Sequence, residues 1–444
     1  MSHVFPRHSH IAPPIAVSGE GCYLIDSNGK RYFDGSGGAA VSCLGHNDAE
    51  VKAAIIDQLE HLAFAHTGFF SSAPAEALAD ALAKAAPGSL NRVYFVSGGS
   101  EAVEAALKLA RQYFVERGMP EKQYLIGRRQ SYHGNTLGAL AAGGNAWRRA
   151  QFAPLLFDSH HIAPCFAYRE QQDDETEFAY GRRAANALED EILRLGPDKV
   201  MAFIAETVVG ATLGAVPAVD GYFKRIREIC DRYDVLLILD EVMCGMGRTG
   251  TLFAYEAEDI QPDIVTIAKG LGAGYQPIGA FLCSDHIYQT IADGSGFFQH
   301  GHTYLGHPTA CAAAYAVVQK MTQKNLPARV QMMGAKLRQA LQDALEFSAN
   351  WKARSGIFPA EQIRDQLYRQ RYPEISGLQE QVFQLQKALP GHKKLSYIIP
   401  DHLEAGHLDI RLRIESEEDL QELFQLVLEA NRGGKIQELL KLIQ

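Results

Sequence analysis

The sequence predicts an α/β protein whose mostly parallel sheet is covered by helices on both faces, and two observations predict it. Between about residues 91 and 325, apolar β-branched runs alternate with amphipathic helical stretches, the pattern of strands joined by crossover helices. In addition, Ser97, Glu206, Asp240 and Lys269 each fall at or just beyond the end of an apolar run, where open α/β sheets bind their ligands.

The elements follow in order. Residues 1–45 read as extended and turn-rich: Tyr23–Asp26, a hairpin turn at Ser27–Lys30, then Arg31–Asp34, a small sheet separate from the main core. Apolar residues recur at helical spacing over Ala49–Leu62 and again over Pro74–Ala86, with Pro-Gly after the second. Strands are expected at Arg92–Val96, Gln123–Gly127, Val200–Ala205, Val235–Leu239, Ile264–Ala268 and Gly279–Cys283, and the clearest helices at Ser100–Arg117 and Gly221–Tyr233. The polar stretch 165–185 reads as a surface loop. From Asn325 onward the chain is helix-rich and charged, with one strand expected at Leu408–Ile414. There is no internal repeat and no low-complexity tract. The expected division is 1–45 as the N-terminal part of a small domain, 46–325 as a large ligand-binding domain, and 326–444 as the rest of the small domain.

Composition narrows the function. A chain of 444 residues with 47% hydrophobic content exceeds one ordinary core. A net charge of −9 argues against nucleic acid or an anionic membrane as partner. No apolar stretch has bilayer length and the first residues lack a secretion signal's apolar core. The seven cysteines are odd in number and scattered, the usage of a reduced, cytoplasmic protein.

The chemistry centres on Lys269. It ends the apolar run Asp263-Ile-Val-Thr-Ile-Ala268 and opens into glycines, so its amine can sit dry, and burial lowers an ammonium pKa toward the neutral form that attacks carbonyls. Asp240 ends the run Val235-Leu-Leu-Ile-Leu239, where a carboxylate can hold a pyridine nitrogen protonated; helix capping or an ion pair is the plainer alternative. Ser97-Gly98-Gly99-Ser100 opens a helix, and a helix N-terminus after a glycine turn suits a phosphate, although a serine-capped helix without a ligand fits equally. Glu206 can orient a partner or contact substrate. Tyr132-His133-Gly134 follows another strand, placing an aromatic where it can stack on a cofactor ring, with a core aromatic as the plainer reading. Thr303 precedes an alanine-rich helix, where its hydroxyl and N–H can meet a phosphate or simply cap the helix. Together these residues suggest a pyridoxal 5′-phosphate (PLP) site.

Two patterns are set aside. Gly245-Met-Gly247-Arg-Thr-Gly250 matches a dinucleotide fingerprint, yet Asp240-Glu-Val-Met-Cys244 separates it from the strand, so it reads as a turn and a nicotinamide-dependent dehydrogenase is the weaker rival. His300, His302 and His307 lack the Cys or H-E-x-x-H context of a metal centre, and no metal is expected.

With these motifs in order, the chain resembles the class III aminotransferases among fold type I PLP enzymes. The resemblance spans about residues 15–345 and rests on Ser97-Gly-Gly-Ser-Glu-Ala102, Ser131-Tyr-His-Gly134, Leu237-Ile-Leu-Asp-Glu-Val242 with Gly247-Arg-Thr-Gly250, Ala268-Lys-Gly270 and His302-Thr-Tyr-Leu-Gly-His-Pro308. It implies a seven-stranded sheet and a homodimer with shared active sites. Lys269 would be the Schiff-base residue and proton shuttle, Asp240 the partner of the pyridine nitrogen, and Gly99 with Ser100 the phosphate cradle. Tyr132 would stack on the ring, Val242 would pack on its other face, and Thr303 would reach the partner subunit's phosphate. The implied reaction moves an amino group from an amino acid or amine donor to a keto acid or aldehyde acceptor; a decarboxylase or aminomutase could use the same site, and an inactive relative could keep the fold. From about Glu346 the family's usual Arg-Gly-x-Gly strand and later carboxylate-binding arginine are missing. Arg411 and Arg413 could supply a guanidinium there, with solvated strand-face arginines as the plainer reading.

Overall fold

The computed structural model describes residues 3–355, most of 384–398, and 409–442. Its contacts divide it into two units, Met1–Met333 and Gly334–Gln444.

The first unit is organised by seven strands: β4 (Leu90–Val96), β5 (Tyr124–Arg128), β6 (His160–Ile162), β7 (Val200–Glu206), β10 (Leu236–Asp240), β11 (Ile264–Ile267) and β12 (Gly279–Ser284), in the spatial order β4-β12-β11-β10-β7-β5-β6. Neighbours β11/β10, β10/β7, β7/β5 and β5/β6 are parallel, and β12 alone runs against the rest. Every residue of β7 and β10 is buried. Alternate residues feed opposite cores: Phe203, Ala205, Leu237 and Leu239 pack on one face, Ala202, Ile204, Leu236 and Ile238 on the other. That two-sided burial is why these strands read as unbroken apolar runs.

Helix Gly99–Glu116 covers the second face with Ala102, Ala105, Ala106 and Ala110, small enough for close approach. Helices Glu177–Leu195, Tyr222–Tyr233 and Pro308–Gln323 supply the first. The expected strands and helices agree with the observed ones to within about two residues. The strands Ala16–Glu20, Val208–Val209, Val216–Pro217 and Leu395–Ile398 were not expected, and two further differences concern the main sheet and its covering helices. Residues 165–185, expected as a loop, contain helix Ala167–Glu170 and the start of Glu177–Leu195. Thr176 Oγ1 accepts from Ala179 N at 3.2 Å, and Tyr180, Ala184, Leu188 and Ile192 bury one stripe of that helix. Strand β6 was not expected, because three residues at a sheet edge carry too little apolar pattern.

The N-terminal strands β1 (Ala16–Glu20), β2 (Tyr23–Asp26) and β3 (Arg31–Phe33) form an antiparallel sheet. Asp26 fixes the β2–β3 turn by accepting from Asn28 N, Lys30 N and the Tyr32 hydroxyl. Just after this sheet, Cys43 Sγ donates to Gly270 O and the Tyr275 hydroxyl donates to Gly45 O, contacts within the first unit. Two short strands, β8 (Val208–Val209) and β9 (Val216–Pro217), pair beyond β7.

In the second unit, β13 (Leu395–Ile398) pairs antiparallel with β14 (Asp409–Leu412), and helices Glu417–Arg432 and Lys435–Leu442 follow. β14 falls within the expected strand, whose first residue, Leu408, lies outside the described residues. Arg411 and Arg413 are exposed, and Arg413 pairs with Glu415 at 3.0 Å. No described helix is long and apolar enough to cross a membrane. All seven cysteines are free thiols.

Candidate active site

At the carboxyl end of the sheet, a cavity of about 1570 Å³ is lined by every predicted site residue except Thr303. Thr303 lies exposed in the turn before helix Pro308–Gln323, outside the cavity of its own chain.

Asp240 ends β10 almost fully buried. Its Oδ2 lies 2.7 Å from His133 Nδ1, and Oδ1 accepts from Val242 N at 3.0 Å and from the Thr266 hydroxyl at 3.4 Å. The His133 side chain is wholly buried, and its Nε2 has no partner among the described residues. His133 thus lines the cavity and holds the Asp240 carboxylate.

Lys269 follows β11 with φ +43°, a left-handed conformation costly for a residue with a Cβ. Burial, the largest influence, lowers its ammonium pKa; Asp240 opposes that shift and the Arg248 guanidinium reinforces it. The combination favours a neutral, nucleophilic amine held near a carboxylate.

Helix Gly99–Glu116 has 18 residues and begins at Gly98 with no side-chain cap, leaving first-turn N–H groups open toward the cavity. A Cβ on Gly99 would meet Val242 Cγ1 at 2.6 Å, so glycine is what lets Val242 close over the helix start. The Ser100 hydroxyl donates to Asn135 Oδ1 at 2.8 Å and accepts from Asn135 N at 3.0 Å; it is engaged in holding the Tyr132 loop. Ser97 Oγ lies 2.9 Å from His302 Nε2.

Glu206 serves the same loop. Its Oε1 accepts from Tyr132 N at 3.1 Å, while its carbonyl accepts from the buried guanidinium of Arg128. Of the two roles expected for it, orienting a partner is the one its hydrogen bonds support. The Gly245–Gly250 segment forms turns, with φ +86° at Gly247 and +99° at Gly250.

Sequence reasoning missed Arg128, Asn135, Thr207 and Arg148. Each works through a partner distant in sequence, and no local spacing announces it. Arg148 places its guanidinium 4.6 Å from the Tyr132 ring centroid on the cavity wall.

The family model described as aminotransferase class-III matches residues 4–358. An uncharacterized aminotransferase of Schizosaccharomyces pombe is 42% identical over 380 residues, 84% of this chain and 82% of the relative. Among solved structures, a thermostable (S)-enantioselective omega-transaminase from Thermomicrobium roseum superposes with a TM-score of 0.74 at 38% identity, covering 78% of each chain. The omega transaminase of Pseudomonas jessenii in complex with PMP gives 0.75 at 32%, also covering 78% of each. Sequence motifs, sheet order and these likenesses agree: the chain belongs to the class III aminotransferase family.

Proposed function

We propose that the cavity binds PLP and that the protein transfers an amino group from an amino acid or amine donor to a keto acid or aldehyde acceptor, with Lys269 as the reactive amine. The residues fit the group on three counts: an uncapped helix N-terminus for the phosphate, a buried carboxylate at Asp240 for the pyridine nitrogen, and an aromatic and an apolar side chain, Tyr132 and Val242, on the wall of the same cavity for the flat ring. The Pseudomonas jessenii relative's complex with PMP supports the same reading.

When bound, PLP supplies an aldehyde that condenses with amines and a ring that takes up the electron pair left when a Cα proton departs. The protein does the rest. First-turn N–H groups at Gly99 and Ser100 hold the phosphate. The carboxylate of Asp240, oriented by His133, Val242 N and Thr266, holds the proton on the ring nitrogen. Lys269 Nζ, kept toward its neutral form by burial, would hold the cofactor through its aldehyde, and the same amine, once free, would be the base placed to take a donor's Cα proton and to give it back. Tyr132 and Val242 hold the ring between apolar faces and keep water from it.

The assembly we infer is a homodimer with shared sites, because Thr303 is exposed and lies outside the lining of its own cavity and would serve the partner's phosphate. A reducing cytoplasmic setting fits seven unpaired cysteines.

The observation carrying the reading is Lys269, partly buried in the same cavity wall as Asp240. Borohydride reduction of PLP-saturated protein, followed by peptide mass mapping, is expected to label Lys269. Stable cofactor uptake with that residue unlabelled would overturn the assignment.

A further inference from the structure

Two adjacent arginines on the short helix Ala146–Ala150 have opposite fates. Arg149 spends its guanidinium on the protein, donating to the carbonyls of Leu140, Ala141 and Gly143. Arg148 does not. Its guanidinium lies over the Tyr132 ring at 4.6 Å and near Trp147 at 5.8 Å, on the cavity wall, and among the described residues it has no carboxylate partner and no side-chain hydrogen bond. An aromatic face attracts the cation but satisfies none of its five N–H donors. A half-buried guanidinium with an open fork, fixed by stacking, is preorganised for a planar anion.

We propose that Arg148 is the substrate-carboxylate anchor of this cavity. The proposal rests on the PLP-dependent reading above and deepens it: the large domain itself recognises the carboxylate of an amino-acid donor or keto-acid acceptor. Two other arginines line the cavity, and neither is placed as well. Arg7 is exposed on the N-terminal segment, and Arg248 is exposed in the Gly247–Gly250 turn, where its charge acts on Lys269. Among the described residues neither has an aromatic contact to fix its fork, so each would lose more side-chain freedom on binding. Of the second-unit candidates Arg411 and Arg413, Arg413 is already paired with Glu415. The contact with Tyr132 gives the anchor a direct link to the reacting centre, since the ring proposed to face the cofactor is also the ring that fixes the guanidinium.

The test compares wild type, Arg148→Met and Arg148→Lys, loaded with PLP, against alanine, 4-aminobutanoate, propan-2-amine and butan-1-amine. The rate at which each donor bleaches the cofactor's visible band gives kcat/KM for the half-reaction. Arg148→Met is expected to lose on the order of 100-fold with whichever carboxylated donor the wild type uses, Arg148→Lys to lose less, and the carboxylate-free amines to keep their rates. Alanine and 4-aminobutanoate then distinguish a carboxylate next to the amine from one further along the chain. A second readout is independent of turnover: Trp147, one of two tryptophans, should change its fluorescence when wild-type protein is titrated with butanoate and not with butan-1-ol, and Arg148→Met should abolish the change. Equal loss with carboxylated and plain amines would make Arg148 a mere support for Tyr132 and overturn the proposal. Unchanged use of carboxylated donors, or wild type blind to butanoate, would overturn it too. A protein that senses butanoate through Arg148 yet turns over none of the donors would sink the aminotransferase reading while leaving the anion site standing.

Discussion

Replacing Glu241 by Gln probes how the strand end that bears Asp240 is held. The Glu241 carboxylate is completely buried and accepts three hydrogen bonds: Oε1 from the Thr207 hydroxyl at 2.8 Å and Tyr255 N at 2.7 Å, Oε2 from Ala254 N at 2.6 Å. Burial pushes its pKa from 4.5 up to about 7, against the pull of those donors. A glutamine fills the same space with one acceptor oxygen. If that oxygen stays with Thr207 and Tyr255, the new NH2 faces the Ala254 N–H, donor against donor, at a pH-independent cost of about 1–3 kcal/mol. The protonated acid escapes this cost, because its hydroxyl oxygen keeps a lone pair for Ala254.

The carboxylate carries an opposite, pH-dependent contribution. Its folded pKa lies above its unfolded one, so the stability it lends is complete below 4.5 and is lost as pH rises through about 7. At about 1.4 kcal/mol per unit, the loss amounts to about 3 kcal/mol on the alkaline side. Glutamine does not titrate. Glu241→Gln should therefore be less stable than wild type by about 1–3 kcal/mol near the acid limit, and the gap should close or reverse above neutrality. Urea midpoints followed by circular dichroism across that pH range measure the gap. A gap that does not move with pH refutes the raised pKa, and a variant as stable as wild type in acid refutes the donor clash.

Three further outcomes are expected. Gly99→Ala puts a Cβ 2.6 Å from Val242 Cγ1, so PLP affinity measured by equilibrium dialysis should fall at least about tenfold with circular dichroism unchanged. The rate at which PLP condenses with cofactor-free protein should rise with pH and level off below the 10.5 of an ordinary lysine, because the amine proposed to attack is that of Lys269 and burial lowers its ammonium pKa. Arg248→Met removes a positive charge that helps lower it, so the curve should move to higher pH; a shift to lower pH contradicts that placement. Finally, mixing Lys269→Ala with Thr303→Ala subunits should restore wild-type phosphate affinity at the sites that retain Lys269, as read by PLP titration. No restoration on mixing would mean that Thr303 does not act across a subunit interface.

How much of this could be read from sequence follows from what each residue interacts with. Lys269 and Asp240 were legible because a charged residue ending a buried, mostly apolar run stands out, and β10 and β11 are buried throughout. Helix Glu177–Leu195 was obscured at its start because its N-cap, Thr176, sits in the acidic run Asp173-Asp-Glu-Thr-Glu177. Lys122 was illegible for a different reason. It is almost fully buried, and its ammonium donates to the carbonyls of Pro197, Val200, Tyr233 and Asp234. Those acceptors are backbone atoms 75 to 112 residues away, and nothing in their side chains marks them. The same holds for Arg128 with the Glu206 carbonyl.

The register of the sheet explains why the chemistry gathers on one side. Asp240 stands opposite Glu206 on β7 and Thr266 on β11, and side chains in register on neighbouring strands share a face. Two residues earlier, Ile238, Ile204 and Ile264 belong to the core beneath helix Gly99–Glu116. Asp240, Glu206 and Thr266 therefore face the side whose covering helix offers the uncapped N-terminus, and one parity delivers both the carboxylate and the helix start proposed to cradle a phosphate. Glu241, one residue on, turns to the other side and is tied to Thr207, Ala254 and Tyr255. Strict alternation would aim Lys269 with Ile267 into that opposite core. Its φ of +43° breaks the alternation where β11 ends, and the amine joins the cavity instead. A residue that relaxed this conformation, with the same amine present, would leave cofactor binding supported by Asp240 and Gly99 but remove the nucleophile from reach.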